Sequence, residues 1–325
     1  MHGFRVIRPF LAAAATLTAI GVAPAAAGDG VLGLLIENDT FAHTDRYYTS
    51  GVKLSYVTGQ GRGEKLARLL RVREGEPTRL GFALGHSIFT PENRGAVAPL
   101  PNDHPYAGWF YGEVSIIAER RSRALDMLTL DFGVVGPHAF GKGAQDFIHE
   151  LIGDDKARGW ANQLRDEPGF ILSYDRLWPP IISPSAHGVG VDLTPHTGVS
   201  IGNVLTQANA GVTFRIGSGL SGSYGPPRVR PSIPTGGFYG GSGFSWYVFA
   251  GGEARAIARN VFLDGNTFRD SLSVDKKVFG ADAQGGLVLQ MRGVALAFTY
   301  VWRAREFDTQ SDAQQFGAIS FSTRF

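Results

Sequence analysis

The strongest constraint on this chain is a period of two. Val294, Leu296, Phe298, Tyr300 and Trp302 alternate with Ala295, Ala297, Thr299, Val301 and Arg303, and a strand shows successive residues to opposite faces. Ile319, Phe321, Thr323 and Phe325 stand likewise against Ser320, Ser322 and Arg324. Leu128, Leu130, Phe132 and Val134 stand against Thr129, Asp131 and Gly133, and Val52, Leu54 and Tyr56 against Lys53 and Ser55. Each such strand has one lipid-compatible face and one small or polar face.

Segments of this kind begin near Val31, Tyr48, Thr78, Ala107, Ala124, Gly169, Gly188, Thr206, Ser245, Asp275, Gly293 and Phe316. Their number, about twelve, is even, as single-chain bacterial barrels require. Connections rich in glycine and proline separate them, as over 218–243. A soluble β-sandwich or propeller is the competing architecture. Against it stand the aromatic strand faces, strand lengths near the 9–11 residues of a tilted spanning strand, and the free edges an open sheet of this size would expose. The expected fold is an all-β, transmembrane antiparallel β-barrel.

Residues 1–27 read as an export signal, with Arg5 and Arg8, an apolar stretch Phe10 to Ala23, and small residues Ala25 to Ala27. The expected mature barrel then spans 28–325, with a bacterial outer membrane as its expected location. Loss of Arg5 and Arg8 brings the basic residues level with the 29 acids, so no nucleic-acid partner is expected. With no cysteine in 325 residues, disulfides, thiolate metal sites and cysteine nucleophiles are excluded. No apolar run after the signal reaches the roughly 18 residues of a spanning helix.

One segment interrupts the β pattern. Gly143 to Ile152 lacks alternation, places Phe147, Ile148, Leu151 and Ile152 at helical spacing, and ends at Gly153, a candidate C-cap. The spacing predicts a short loop helix with Gln145 and His149 on one face. From the residues alone, His149 reads more readily as a histidine that caps the helix end or bonds a neighbour than as a base. The pair Asn38-Asp39 reads as a turn or as hard oxygen ligands. As neighbours in a strand they would face opposite ways, so both serve one site only if the strand ends or bulges there.

The order of motifs adds a resemblance. Glu37-Asn38-Asp39-Thr40-Phe41, Asp45-Arg46-Tyr47-Tyr48-Thr49-Ser50-Gly51, Phe89-Thr90-Pro91, Asp103-His104-Pro105-Tyr106-Ala107-Gly108-Trp109, Gln145 to His149, Gly159 to Leu164, Phe262 to Asn266 and Glu306-Phe307 together resemble the LpxR-like lipid A 3'-O-deacylase family over essentially the whole mature chain. That resemblance implies a twelve-stranded outer-membrane barrel with its site between the wall and a short loop helix. It also implies Ca²⁺-dependent hydrolysis of the ester holding the 3'-linked acyl chain of lipid A, the partner being lipopolysaccharide of the outer leaflet and the enzyme a monomer.

Carried residue by residue, His149 matches the family's catalytic histidine, the base that activates water. Asn38 and Asp39 match its polar pair, as catalytic and Ca²⁺-binding residues. Thr49 matches a threonine able to hold a carbonyl or water, and Gln145 orients His149 or contacts substrate. Arg94 is the nearest basic residue for a lipid A phosphate, and Asp155 stands where an acidic ligand is expected. Asp103-His104-Pro105-Tyr106 and Asp264-Gly265-Asn266 read as structural turns. The G-x-S-x-G match Gly198 to Gly202 falls inside the expected strand that begins near Gly188 and not at a strand-to-helix turn, which disfavours a serine nucleophile. A passive pore or structural barrel, and a phospholipase, are the alternative functions.

Overall fold

The computed structural model describes residues 30–42, 46–153, 155–223, 225 and 243–324; the expected signal, 1–27, lies outside them. Twelve long strands follow one another: β1 Gly30–Asn38, β2 Tyr47–Thr58, β3 Thr78–Thr90, β4 Ala107–Glu119, β5 Leu125–Val135, β6 Glu167–Leu177, β7 Val189–Gly202, β8 Leu205–Gly217, β9 Phe244–Asn260, β10 Phe279–Met291, β11 Val294–Arg303 and β12 Gln314–Arg324. Three helices interrupt them, α1 Glu64–Ala67, α2 Gly141–Ile152 and α3 Val261–Asp264. A two-residue strand, Ser185–Ala186, pairs with Gly190 and Val189 and only extends the hairpin into β7.

Every strand pairs antiparallel with its chain neighbours, and β1 pairs with β12 from Val31↔Arg324 to Asn38↔Gly317. The pairing of β6 with β7 completes the ring. The sheet is therefore a closed antiparallel barrel without a free edge. Each strand begins within 4 residues of its expected start, the widest offset being Asp275 expected against Phe279 observed.

The alternation sorts the faces as expected. Leu54, Leu84, Phe132, Phe170, Phe214 and Phe298 are exposed on the outer surface, an apolar band of the kind a barrel presents to lipid. The inward set is polar and filled. Lys53 pairs with Glu113, and Arg215 donates to both oxygens of Asp192 at 2.8 and 2.6 Å. His196 Nε2 meets Glu253 at 3.0 Å, and Arg255 and Arg303 share Asp282.

Aromatic rings close the lumen at the rim that carries α2 and α3. Phe89 stacks on Phe262 with centroids 3.9 Å apart, and His104 lies parallel to Phe89 at 5.7 Å. Burial pushes the His104 imidazole below its ordinary pKa, and its Nδ1 donates to the Pro105 carbonyl at 2.7 Å. Below this ceiling remains a cavity of ≈ 130 Å³ lined by inward residues such as Glu37, Gln207 and Arg255.

Candidate active site on the outer wall

Register brings Asn38, Ser50, Ile88 and Gly108 into one row across β1 to β4. Parity with the exposed Leu32, Val52, Leu84 and Phe110 turns all four outward. The row spans three strand spacings, about 14 Å. Open to lipid it would be exposed, yet Ile88 is only 1% exposed. The loop between β5 and β6 covers it.

That loop contains α2, and a missing side chain seats it. A Cβ on Gly108 would stand 3.1 Å from both the Ala139 Cβ and the Gly141 nitrogen, so the helix start rests directly on the β4 backbone. His86, also outward, donates from Nε2 to the Ala139 carbonyl at 2.7 Å. Ile88, Tyr106, Ala157 and Trp160 form the apolar cluster beneath. Gly153 ends the helix at φ 74°, its N–H bonded to the His149 carbonyl. This is the expected glycine C-cap.

The helix is amphipathic in an unexpected sense. Gly141, Gln145 and His149, four apart, are buried against the wall, whereas Phe140, Phe147 and Leu151 are exposed. An apolar stripe at helical spacing ordinarily faces a core. The structure instead turns the polar stripe inward and leaves the apolar residues on the side where the barrel meets lipid.

Within the buried stripe, His149 is 3% exposed. Its Nδ1 lies 2.6 Å from the main-chain oxygen of Asp155. A carbonyl only accepts, so Nδ1 carries the proton and Nε2 of the neutral ring carries the basic lone pair. One turn earlier, Gln145 Oε1 accepts from Trp160 Nε1 at 2.7 Å. This bond fixes the amide orientation, leaving the buried Nε2 as a donor without a protein acceptor among the described residues.

At the other end of the row the strand does end between the polar pair. Asn38 is the last residue of β1, and Asp39 opens a 3-10 turn, Asp39–Ala42, whose Phe41 packs over Gly317 of β12. Asn38 Oδ1 accepts from the Thr40 N–H at 2.7 Å and Asp39 Oδ2 from the Arg46 N–H at 2.6 Å. The turn and the ligand readings thus meet in the same residues. On β2 the pairing skips Thr49 between Tyr48 and Ser50, a bulge that re-aims a side chain. Tyr47 beside it holds φ 66°, a conformation L-residues rarely adopt. Thr49 Oγ1 lies 2.7 Å from Thr90 Oγ1, and both hydroxyls are buried.

The donors at this end are a fully buried carboxylate, Asp39 at 0% exposure, a carboxamide and two hydroxyls. Such hard oxygens fit Ca²⁺. No group of three or more His, Asp or Glu side chains gathers as a metal cluster among the described residues. Neutral oxygens would therefore complete any coordination. Asp155 enters the site through its main-chain carbonyl, while its side chain is exposed.

Arg94 is half-buried in the β3–β4 loop, where its carbonyl accepts from Arg158 N at 2.9 Å and Tyr106 Oη at 3.2 Å. It thereby ties that loop to the segment after α2. The two motifs read as turns are turns: Asp103 accepts from the N–H groups of Glu92, Asn93 and His104, and Asn266 bonds the Arg165 backbone both ways at 2.8 Å. Sequence reasoning assigned no role to Thr90, Trp160 or His86. Thr90 and Trp160 lie inside matched motifs, so the signal was present; His86 had none.

A barrel with a loop helix that buries its own histidine against the outer wall, rather than in the lumen, is a narrow description. The family model described as outer membrane protein LpxR matches residues 10–325. The chain belongs to the LpxR outer membrane protein family. Among solved structures, LpxR from Salmonella typhimurium superposes with a TM-score of 0.77 at 20% identity, covering 91% of this chain and 100% of that one. The β-domain of the Bordetella autotransporter BrkA, with a TM-score of 0.46 at 8% identity, covers 92% and 100%. The translocator domain of NalP from Neisseria meningitidis, at 0.43 and 7%, covers 98% and 96%. No protein of curated function matches the chain.

Proposed function

We propose that the protein is an outer-membrane ester hydrolase that removes the 3'-linked acyl, or acyloxyacyl, chain of lipid A from the membrane side of the wall. The observation that carries this reading is the His149 Nδ1 bond to the Asp155 carbonyl, which presents Nε2 as a base within a covered site. His149 Nε2 takes a proton from water, and the oxygen so freed attacks the ester carbonyl carbon. The bond to the sugar oxygen then breaks, and the proton passes from His149 to that oxygen, releasing a fatty acid. A positioned base of this kind contributes about 10²–10⁴-fold.

Gln145, held by Trp160, offers Nε2 to substrate or water, and the Thr49–Thr90 pair presents hydroxyls along the same wall. Asn38 and Asp39 would hold Ca²⁺, which supplies positive charge for the developing oxyanion. The exposed Phe140, Phe147 and Leu151 give acyl chains an apolar surface beside the site. Arg94 and the neighbouring Arg158 are the candidates for a lipid A phosphate.

Lipid A mass spectrometry on cells expressing wild type and His149→Ala tests the reading. Wild type is expected to convert lipid A to the species lacking its 3'-linked chain, and His149→Ala to insert normally without converting it. Unchanged lipid A with folded wild type, or equal turnover by the variant, would overturn it. Phospholipid offered beside lipid A separates a phospholipase.

A further inference from the structure

The connection between β2 and β3, 59–77, lies on the rim opposite α2 and does not simply turn the chain. Its α1 and the following 3-10 turn, Arg68–Leu70, fold back outside the barrel. Ala67 and Leu70 pack on Ile116 and Ala118 of β4, with Leu80, Leu128 and Tyr174 around them. All five strand residues share parity with exposed outer residues of their strands, such as Phe82, Phe110, Leu130 and Leu172, so the element lies flat on the lipid-facing surface.

While Ala67 and Leu70 are buried, Leu66 is 49% and Leu69 68% exposed, three residues apart on the flank. Lys65, Arg68, Arg71 and Arg73 are exposed beside them, with Arg121 and Arg123 on the adjoining β4–β5 turn. None of these six is ion-paired among the described residues. The rim's buried Asp126 and half-buried Glu76 and Glu119 are already engaged, Glu76 and Asp126 by Arg120 and Glu119 by Arg79. Glu64 and Glu74 are the exposed acids there, so the surface carries a basic surplus. Trp178 stands on the same rim under the Arg176 guanidinium at 4.8 Å, an aromatic of the kind found at membrane interfaces.

We propose that this element is a docking site for anionic phospholipid headgroups of the inner leaflet. Leu66 and Leu69 enter the acyl boundary and the surrounding basic residues meet the phosphates, as in an interfacial amphipathic segment. The choice of inner leaflet rests on the proposed function, which puts the opposite rim at the outer leaflet. Continuity with the lipid-facing band and the local charge select the occupant. Each basic residue near an anionic surface contributes a factor of about five.

Because the chain has no cysteine, Leu69→Cys accepts a single polarity-sensitive fluorophore. The full-length protein is placed in nanodiscs of phosphatidylethanolamine with and without phosphatidylglycerol. The expected result is blue-shifted emission quenched by brominated acyl chains, and phosphatidylglycerol enriched among the lipids that co-purify. The variant K65E/R68E/R71E should lower that enrichment at least about tenfold, with heat-modifiable gel mobility unchanged as the control for folding. Emission typical of water, or equal enrichment in the variant, overturns the proposal.

A membrane-impermeant maleimide separates this failure from failure of the proposed function. It should label Leu69→Cys only after the outer membrane is opened. Labelling in intact cells would invert the barrel and bring down both readings. Correct sidedness with a water-exposed fluorophore would bring down this one alone.

Discussion

Gly108 of β4 and Gly141 of α2 meet backbone to backbone: a Cβ on Gly108 would lie 3.1 Å from the Gly141 nitrogen and 3.2 Å from its Cα. This contact sets how closely the helix carrying Gln145 and His149 approaches the wall. Gly108→Val should lift the helix at an overpacking cost of about 1–3 kcal/mol. Deacylation should fall at least about tenfold while the barrel still folds, and Gly108→Ala should lose less. Lipid A turnover beside heat-modifiable mobility checks both.

Trp160→Phe keeps a ring against Tyr106, 4.9 Å away in the wild type, but deletes the donor to Gln145. A buried acceptor left unmade costs about 1–3 kcal/mol. The expected loss is about tenfold or more in kcat with KM little changed, read from purified enzyme on lipid A micelles. A loss confined to KM would place Gln145 in ground-state binding instead.

Removal of divalent cations should suppress hydrolysis about 10²-fold or more, as expected for losing an oxyanion contact. Ca²⁺ should restore it and Zn²⁺ should not, because the donors are oxygens. Asp39→Ala should resist rescue by Ca²⁺, measured as released fatty acid.

The filled lumen predicts electrical silence. Wild type in planar bilayers should show no steady porin-like conductance. A double substitution of the stacked Phe89 and Phe262 to alanine should admit transient openings. Large steady currents from wild type would favour the pore reading.

Glu76 predicts an acid-dependent weakness at the rim opposite the site. Burial alone would raise its pKa, but the Arg73 and Arg121 N–H groups and the Arg120 guanidinium outweigh burial and bring it to about 2. A depressed carboxyl contributes stability above its unfolded pKa of about 4.3 and loses it as pH falls toward the folded value. Wild type should therefore exceed Glu76→Gln in melting temperature at pH above about 5, and the gap should close between about 5 and 2. Heat-modifiability across that range checks it.

Much of this architecture was legible beforehand because a barrel writes its wall into the sequence residue by residue. Val294 to Arg303 alternates in the sequence and alternates in exposure, since each side chain has only lipid or lumen to face. The site was less legible. Gln145 and His149 were readable as one helical face, but the spacing of Phe147 and Leu151 did not say which face packs on the wall. Nothing local says that the surroundings of the helix are themselves apolar.

Periodicity, turn residues and motif order were thus sufficient by themselves for a closed barrel of about twelve strands and a helix after β5. The family resemblance implied a site between the wall and a loop helix, and only the tertiary structure decided how the candidate residues come together there. It did so through the bulge at Thr49, the end of β1 at Asn38, the Gly108–Gly141 contact and the carbonyl of Asp155 that selects the His149 tautomer. The physical reason is range. Strand alternation is a property of neighbours, whereas Asn38 and Gly108 share a row only because three antiparallel registers bring together residues 70 positions apart.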